Sequence, residues 1–259
     1  MTQQIYTRRQ FLLTGALGLG TLALAGCDAP AEDSLTGRVL RSAESLTMGA
    51  QRLLQGRRAL AREFSEADIS PSFRVNGTSM PDSEAYAALH ENGFSDWRLK
   101  VDGLVARPKE FSLAALKLLP ARTQITRHDC VEGWSGIAKW SGAPLAEVLR
   151  STGVLPAARY VVFHCADELE ASLDGSGRYY ESIDLLDAFH PQTILAYSMN
   201  GKELTVGHGA PLRLRVERQL GYKQAKYVMR IELVESLKGF GSGNGGYWED
   251  RGYEWYAGI

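Results

Sequence analysis

Arg127-His128-Asp129-Cys130-Val131-Glu132-Gly133-Trp134-Ser135 is the stretch on which the reading of this chain turns. Gln124 to Arg127 reads as a short strand, so Cys130 sits just beyond a strand end. A thiolate is stable near neutral pH only beside positive charge or a metal, and Arg127 and His128 are at hand to supply some of that charge. Two readings stay open at this point. Cys130 is a metal ligand, or it is a structural cysteine bridged to Cys165.

Outward from this stretch the chain reads as strands broken by short helices. Trp97 to Val101 alternates apolar and polar residues, Asp102-Gly103 supplies a turn and Leu104-Val105 returns. Ser112 to Leu119 is a helix capped by its serine and stopped by Pro120. Pro144 to Arg150 is a helix with proline in its first turn and Gly153 after it. Tyr160 to Phe163 is a buried strand, and Ile194 to Met199 runs into an Asn200-Gly201 hairpin turn. Leu212, Leu214 and Val216 alternate with Arg213, Arg215 and Glu217, and Tyr227 to Leu233 alternates similarly. Regular βαβ spacing is missing, so the expected class is α+β, a strand-rich mixed fold with short helices.

Two more segments carry candidate chemistry. In His208-Gly209-Ala210-Pro211-Leu212-Arg213 a fixed turn precedes an arginine, whose planar fork matches phosphate. In Gly221-Tyr222-Lys223-Gln224-Ala225-Lys226 a glycine lets backbone N–H groups approach an anion and two lysines add charge. Taken singly, each also reads as ordinary strand or surface sequence. Neither is a Walker loop or a dinucleotide fingerprint. The tail is rich in glycine from Gly239 to Gly246 and then in aromatics: Tyr247, Trp248, Tyr253, Trp255 and Tyr256. Aromatics at this density bury area, so the tail is expected to bend closely and pack back on the domain.

The N-terminus reads as an export signal. Thr7-Arg8-Arg9-Gln10-Phe11-Leu12 is a twin-arginine pattern, and the uncharged run from Phe11 to Gly26 is short for a membrane span. It ends in Leu24-Ala25-Gly26-Cys27, a lipobox-like sequence that places a lipid on Cys27 and the protein on the periplasmic side of the inner membrane. The expected organisation is a signal over 1–27, a tether and helix over 28–64, with leucines at helical spacing from residue 42 to 64, and a catalytic domain over 65–259. Without Arg8 and Arg9 the 29 basic residues become 27 against 30 acidic ones, too few for a nucleic-acid partner.

Taken in order, these segments resemble the sulfite-oxidase-like molybdopterin oxidoreductases, in their bacterial periplasmic branch. The resemblance runs over about residues 70–256 and rests on Cys130-Val131-Glu132-Gly133-Trp134-Ser135, His208-Gly209-x-Pro211-x-Arg213, Gly221-Tyr222-Lys223 and the Tyr247 to Tyr253 tail. It implies a molybdenum–molybdopterin cofactor with Cys130 as the metal's protein ligand, and a soft thiolate suits such a metal. It further implies pterin or phosphate contacts from Phe73, Arg74, Asn76, Cys165, His208, Arg213, Gly221, Tyr222, Lys223 and Lys226, and a catalytic role for Tyr253 beside the metal.

The implied activity is two-electron oxygen-atom transfer on a small substrate, with a sulfoxide-reductase catalytic subunit as the alternative. A cofactor-free envelope lipoprotein is the rival of another class. The chain departs from the sulfite oxidases at Val75, where their sulfite-binding arginine stands, which weakens sulfite as substrate. Their C-terminal dimerisation domain has no counterpart here, so a monomeric catalytic subunit is expected. No Cys-x-x-Cys-His haem motif occurs, so a separate redox protein, such as a membrane cytochrome b, is the expected electron partner.

Overall fold

The computed structural model describes residues 35–56, 59–170, 172 and 177–259. The twin-arginine pattern and Cys27 lie outside them. The chain divides into two compact units, Met1–Ser45 and Leu46–Ile259. The described part of the first is the opening of an α-helix, Leu35–Gln55, whose remaining turns belong to the second. Leucine spacing places this helix later, at 42–64. In the structure Gln55 is its last residue, and Gly56 follows with a φ of 72°, a conformation that ends helices readily.

The second unit is built on two five-stranded sheets. The first has the order β2-β1-β10-β5-β6, from Lys109–Ser112, Arg98–Gly103, Val228–Val234, Tyr160–Glu168 and Arg178–Asp184. Within it β1 and β10 run parallel and the other neighbours antiparallel. The second runs β3-β4-β7-β8, from Arg122–Asp129, Ser135–Pro144, Ile194–Met199 and Lys202–Glu203, with β9 (Arg213–Arg215) also paired to β7. The fold is thus strand-rich and mixed with short helices, as the spacing indicates.

Local chemistry explains the elements. Ser112 caps the helix Leu113–Lys117, its hydroxyl accepting from the Ala115 N–H at 3.1 Å. The helix Leu145–Thr152 starts after Pro144 and ends at left-handed Gly153. Asn200-Gly201 forms the β7–β8 turn with both residues at positive φ. Leu104-Val105 differs from expectation: Val105 makes an isolated bridge to Val154, and β2 is the strand that returns along β1.

β9 also departs from its pattern. Its alternation suggests a wet side bearing Arg213, Arg215 and Glu217, yet all three are buried. Leu214 and Val216 join the main core with Trp97, Leu99, Phe163 and Ile231, while the charged side faces a second cluster around Trp140. Arg215 is satisfied there by Glu217, with Nε–Oε1 2.9 Å and Nη2–Oε2 2.6 Å. The tail packs back as expected: Tyr247 and Tyr256 are buried, and Trp255 Nε1 donates to Ser182 Oγ at 2.9 Å.

Candidate active site

The turn Cys130–Trp134 joins β3 to β4. Cys130 N–H donates to the Trp134 carbonyl at 2.9 Å, and Gly133 N–H to the Cys130 carbonyl at 3.0 Å. This hairpin delivers the Cys130 thiol to the wall of a cleft of about 770 Å³. Its Sγ lies 3.8 Å from Asn76 Oδ1. Burial pushes the thiol above its ordinary pKa, and the Glu132 carboxylate adds to this while Arg74 opposes it. The two cations expected to help are engaged elsewhere. Arg127 pairs with Asp129 at 2.9 Å, and His128 is kept neutral by burial and by Arg215 and Arg213. Without a metal the thiol stays protonated at neutral pH; a metal would supply the missing charge.

Of the residues singled out in the sequence, Asn76, Cys130, Arg213, Gly221, Tyr222, Lys226 and Tyr253 line this cleft together. Arg213 is buried with its guanidinium 4.9 Å from the Trp140 ring centre. Its Nη1 donates to the His208 carbonyl at 3.1 Å, and its Nε has no partner among the described residues. Burial, then Arg215, pushes its pKa down to about 9. Lys226 donates to the carbonyls of Thr78 and Gly207. Burial, then Arg213, pushes the Lys226 ammonium down to about 7, with Asp167 opposing. The two cations crowd each other in a cleft where Asp167 acts on Lys226 and Glu217 acts on Arg213, and at both burial outweighs that pull.

Phe73, Arg74, Cys165, His208 and Lys223 do not line the cleft. The Phe73 ring packs among His128, Trp134, Trp140 and His208, at centroid distances of 5.5 to 6.1 Å. Arg74 sits 6.0 Å over the Trp134 ring. His208 spends both ring nitrogens on the scaffold: Nε2 donates to the Phe73 carbonyl at 3.2 Å, which leaves Nδ1 to accept from Thr205 Oγ1 at 2.7 Å. Cys165 lies on β5 opposite Val228, buried and free, as is Cys130, so no bridge joins them.

Lys223 is buried completely and bonded to two carboxylates, Glu181 Oε1 at 2.5 Å and Glu249 Oε1. It is not directed at a phosphate. Gly221 likewise has a packing reason for its missing side chain: a Cβ there would lie 2.4 Å from His128 Nε2.

Sequence reasoning passed over Thr78, Asp167, Tyr179, Gln224 and Trp248, which also line the cleft. Asp167 is the most consequential, since burial pushes its pKa up to about 6 against the pull of Lys226. The signal available was its two-residue spacing from Cys165 on one strand. Trp248 and Tyr253 come from the tail, with ring centres 5.3 Å apart, and Tyr253 meets Tyr222 edge-on at 5.2 Å.

This donor set fits a phosphorylated ligand carrying a soft metal. The same cleft is lined by a thiol, by Lys226 and by Arg213 with an unpartnered buried guanidinium N–H. Comparisons with known proteins agree with it. Residues 86–239 match the model of the oxidoreductase molybdopterin binding domain. The chain is 36% identical to the Azospira oryzae protein assigned as protein-methionine-sulfoxide reductase subunit YedZ1, over 98% of this chain and 89% of that one. It is 34% identical to the protein-methionine-sulfoxide reductase catalytic subunit MsrP of Ralstonia nicotianae, over 66% of this chain and 53% of that one. Among solved structures, the sulfane dehydrogenase SoxCD of Paracoccus pantotrophus matches 55% of this chain and 39% of its own, at 23% identity and a TM-score of 0.48.

Proposed function

The chain belongs to the oxidoreductase molybdopterin-binding domain family, and we propose that it is the catalytic subunit of a sulfoxide reductase. The observation that carries this reading is a single cleft lined by Cys130 together with the crowded cations Arg213 and Lys226. When bound, the molybdenum cofactor supplies two-electron chemistry by which a sulfoxide, two electrons and two protons give a sulfide and water. Cys130 would hold the metal. Arg213 and Lys226 would hold the phosphate, and burial strengthens both contacts by excluding competing water.

Tyr253, partly exposed at the cleft wall, offers a phenolic O–H to the substrate oxygen. Trp248 and Tyr222 give the wall an apolar surface against which a thioether can lie. The substrate class follows the names of the two relatives, both of which name methionine sulfoxide in protein.

The sequence carries no Cys-x-x-Cys-His haem motif, which supports a separate redox protein, such as a membrane cytochrome b, as the source of single electrons. The twin-arginine pattern supports export of the folded, loaded protein to the periplasm, and the Cys27 lipobox supports anchoring at the inner membrane. The test is metal and pterin analysis of the exported protein, followed by reduction assays on free and peptide-bound methionine sulfoxide. About one molybdenum per chain with sulfoxide-dependent oxidation of a reduced dye is expected. Protein matured in a competent host without molybdenum would refute the reading.

A further inference from the structure

Over residues 46–55 the helix Leu35–Gln55 is docked with its apolar face outward. At 3.6 residues per turn, Leu46, Ala50, Leu53 and Leu54 fall within roughly 100° of arc. All four are exposed, with Leu46 at 72%, Leu53 at 84% and Leu54 at 86%. The protein side of the same turns is polar. Arg52 Nη1 lies 2.7 Å from Asp184 Oδ2, its Nη2 3.5 Å from Asp187 Oδ2, and its guanidinium 4.6 Å from the Tyr256 ring centre. A surface helix ordinarily buries its apolar stripe and wets its charges. Here an ion pair attaches the helix and the leucines are left for something else.

We propose that this leucine face lies on an anionic lipid bilayer. Charge supports that occupant. Besides Arg52, which is paired with Asp184 and Asp187, residues 35–62 contain Arg38, Arg41, Arg57, Arg58 and Arg62 against one acid, Glu44, in a chain of net charge −1. Basic residues close in sequence to an exposed apolar stripe are the composition of a helix that rests in the headgroup region. The helix is not long and apolar enough to cross a membrane, so it lies along the surface.

Position supports it too, and this part rests on the anchoring reading above. Cys27 precedes Leu35 by eight residues, a tether of at most about 28 Å when fully extended. A lipid at Cys27 therefore keeps the helix at the interface. The bilayer then fixes how the domain is presented to a membrane-embedded electron donor.

The test uses the full exported holoenzyme on vesicles of phosphatidylethanolamine and phosphatidylglycerol. Leu53→Cys and, as a control on another exposed leucine, Leu118→Cys are each labelled with a thiol-reactive fluorophore; Cys130 and Cys165 are buried. The label at 53 is expected to be quenched at least threefold by nitroxide-bearing lipid and shielded from aqueous iodide, and the label at 118 to behave oppositely. Iodide-accessible label at 53 on membrane-bound protein would overturn the proposal. Shielding from both quenchers that appears only in native membranes would overturn it in favour of a protein partner. Mass spectrometry of Cys27 separates the two readings: no acyl chain there with lipid quenching at 53 retained defeats the anchor and leaves the helix proposal standing.

Discussion

At the scale of single residues, the cleft is made by side chains whose ordinary ionisation is disfavoured. Cys130 is the clearest, a buried thiol with Arg74 as its one helpful cation. Replacing Cys130 with Ser keeps the shape and removes the soft donor, so loss of at least a hundredfold in turnover is expected, with an altered molybdenum oxidation-state signal. Turnover and that signal both unchanged would remove Cys130 from the metal. Lys226 gives a pH prediction. The groups facing it are Arg213, Asp167 and Cys165. Its ammonium, pushed down to about 7, is charged below that value and neutral above it. Sulfate binding by cofactor-free protein should therefore weaken as pH rises through 7, and Lys226→Gln should lose that step. A flat sulfate isotherm series from pH 6 to 8.5 would contradict it.

Single residues also mark how far sequence reaches. Cys130, Arg213 and Tyr253 were singled out because short motifs carry them, and Asn76 through the family resemblance alone. Lys223 and His208 belong to the same motifs yet turn inward. The lysine's partners are 42 and 26 residues away, at Glu181 and Glu249, and no local pattern announces that enclosure. Asp167 went unnoticed because its importance comes from burial beside Lys226, which is a property of the packed structure.

At the scale of elements, periodicity served where one face of a strand is wet and failed where neither is. β1 and β10 were read from alternation; β9 misled, because both of its sides are buried. The tail shows what holds an irregular element in place. Lys223 binds Glu249 inside it and Glu181 on β6, while Asp250 accepts from Tyr180 and Tyr222 Oη donates to the Glu254 carbonyl at 2.7 Å. Burial and the facing Glu249 hold the Glu181 carboxyl well above its usual range. Lys223→Met would leave two buried carboxylates without their cation, a cost of roughly 3–5 kcal/mol. The expected result is faster amide exchange across residues 247–256 and a raised KM, measured on protein that still binds molybdenum. Unchanged exchange there would show that the tail is held without this contact. A smaller effect, about 1 kcal/mol, is expected for Ser112→Ala from the lost helix cap, read by urea unfolding.

At the scale of the whole molecule, the two sheets were legible in kind but not in order. Their strands can be read from the chain; their neighbours cannot, since pairing of distant strands is decided by which apolar faces meet. Cofactor and fold should report on each other. A ligand that binds only the folded chain stabilises it by about 2.7 kcal/mol at a hundredfold excess over its Kd. Loaded protein should thus melt at least about 5 °C above protein from a molybdenum-starved host, by calorimetry. Equal melting temperatures would mean that the cleft does not hold the cofactor.

The parallel pair of β1 with β10 joins Lys100 to Arg230. Such a seam cannot close until most of the domain has been synthesised, and contacts between remote positions are slow to form. Until then one side of β1 is bare, with its amides and carbonyls open to any extended strand that arrives first. Crowded nascent copies would therefore mispair along that margin, and whatever protects the newborn chain has its work there.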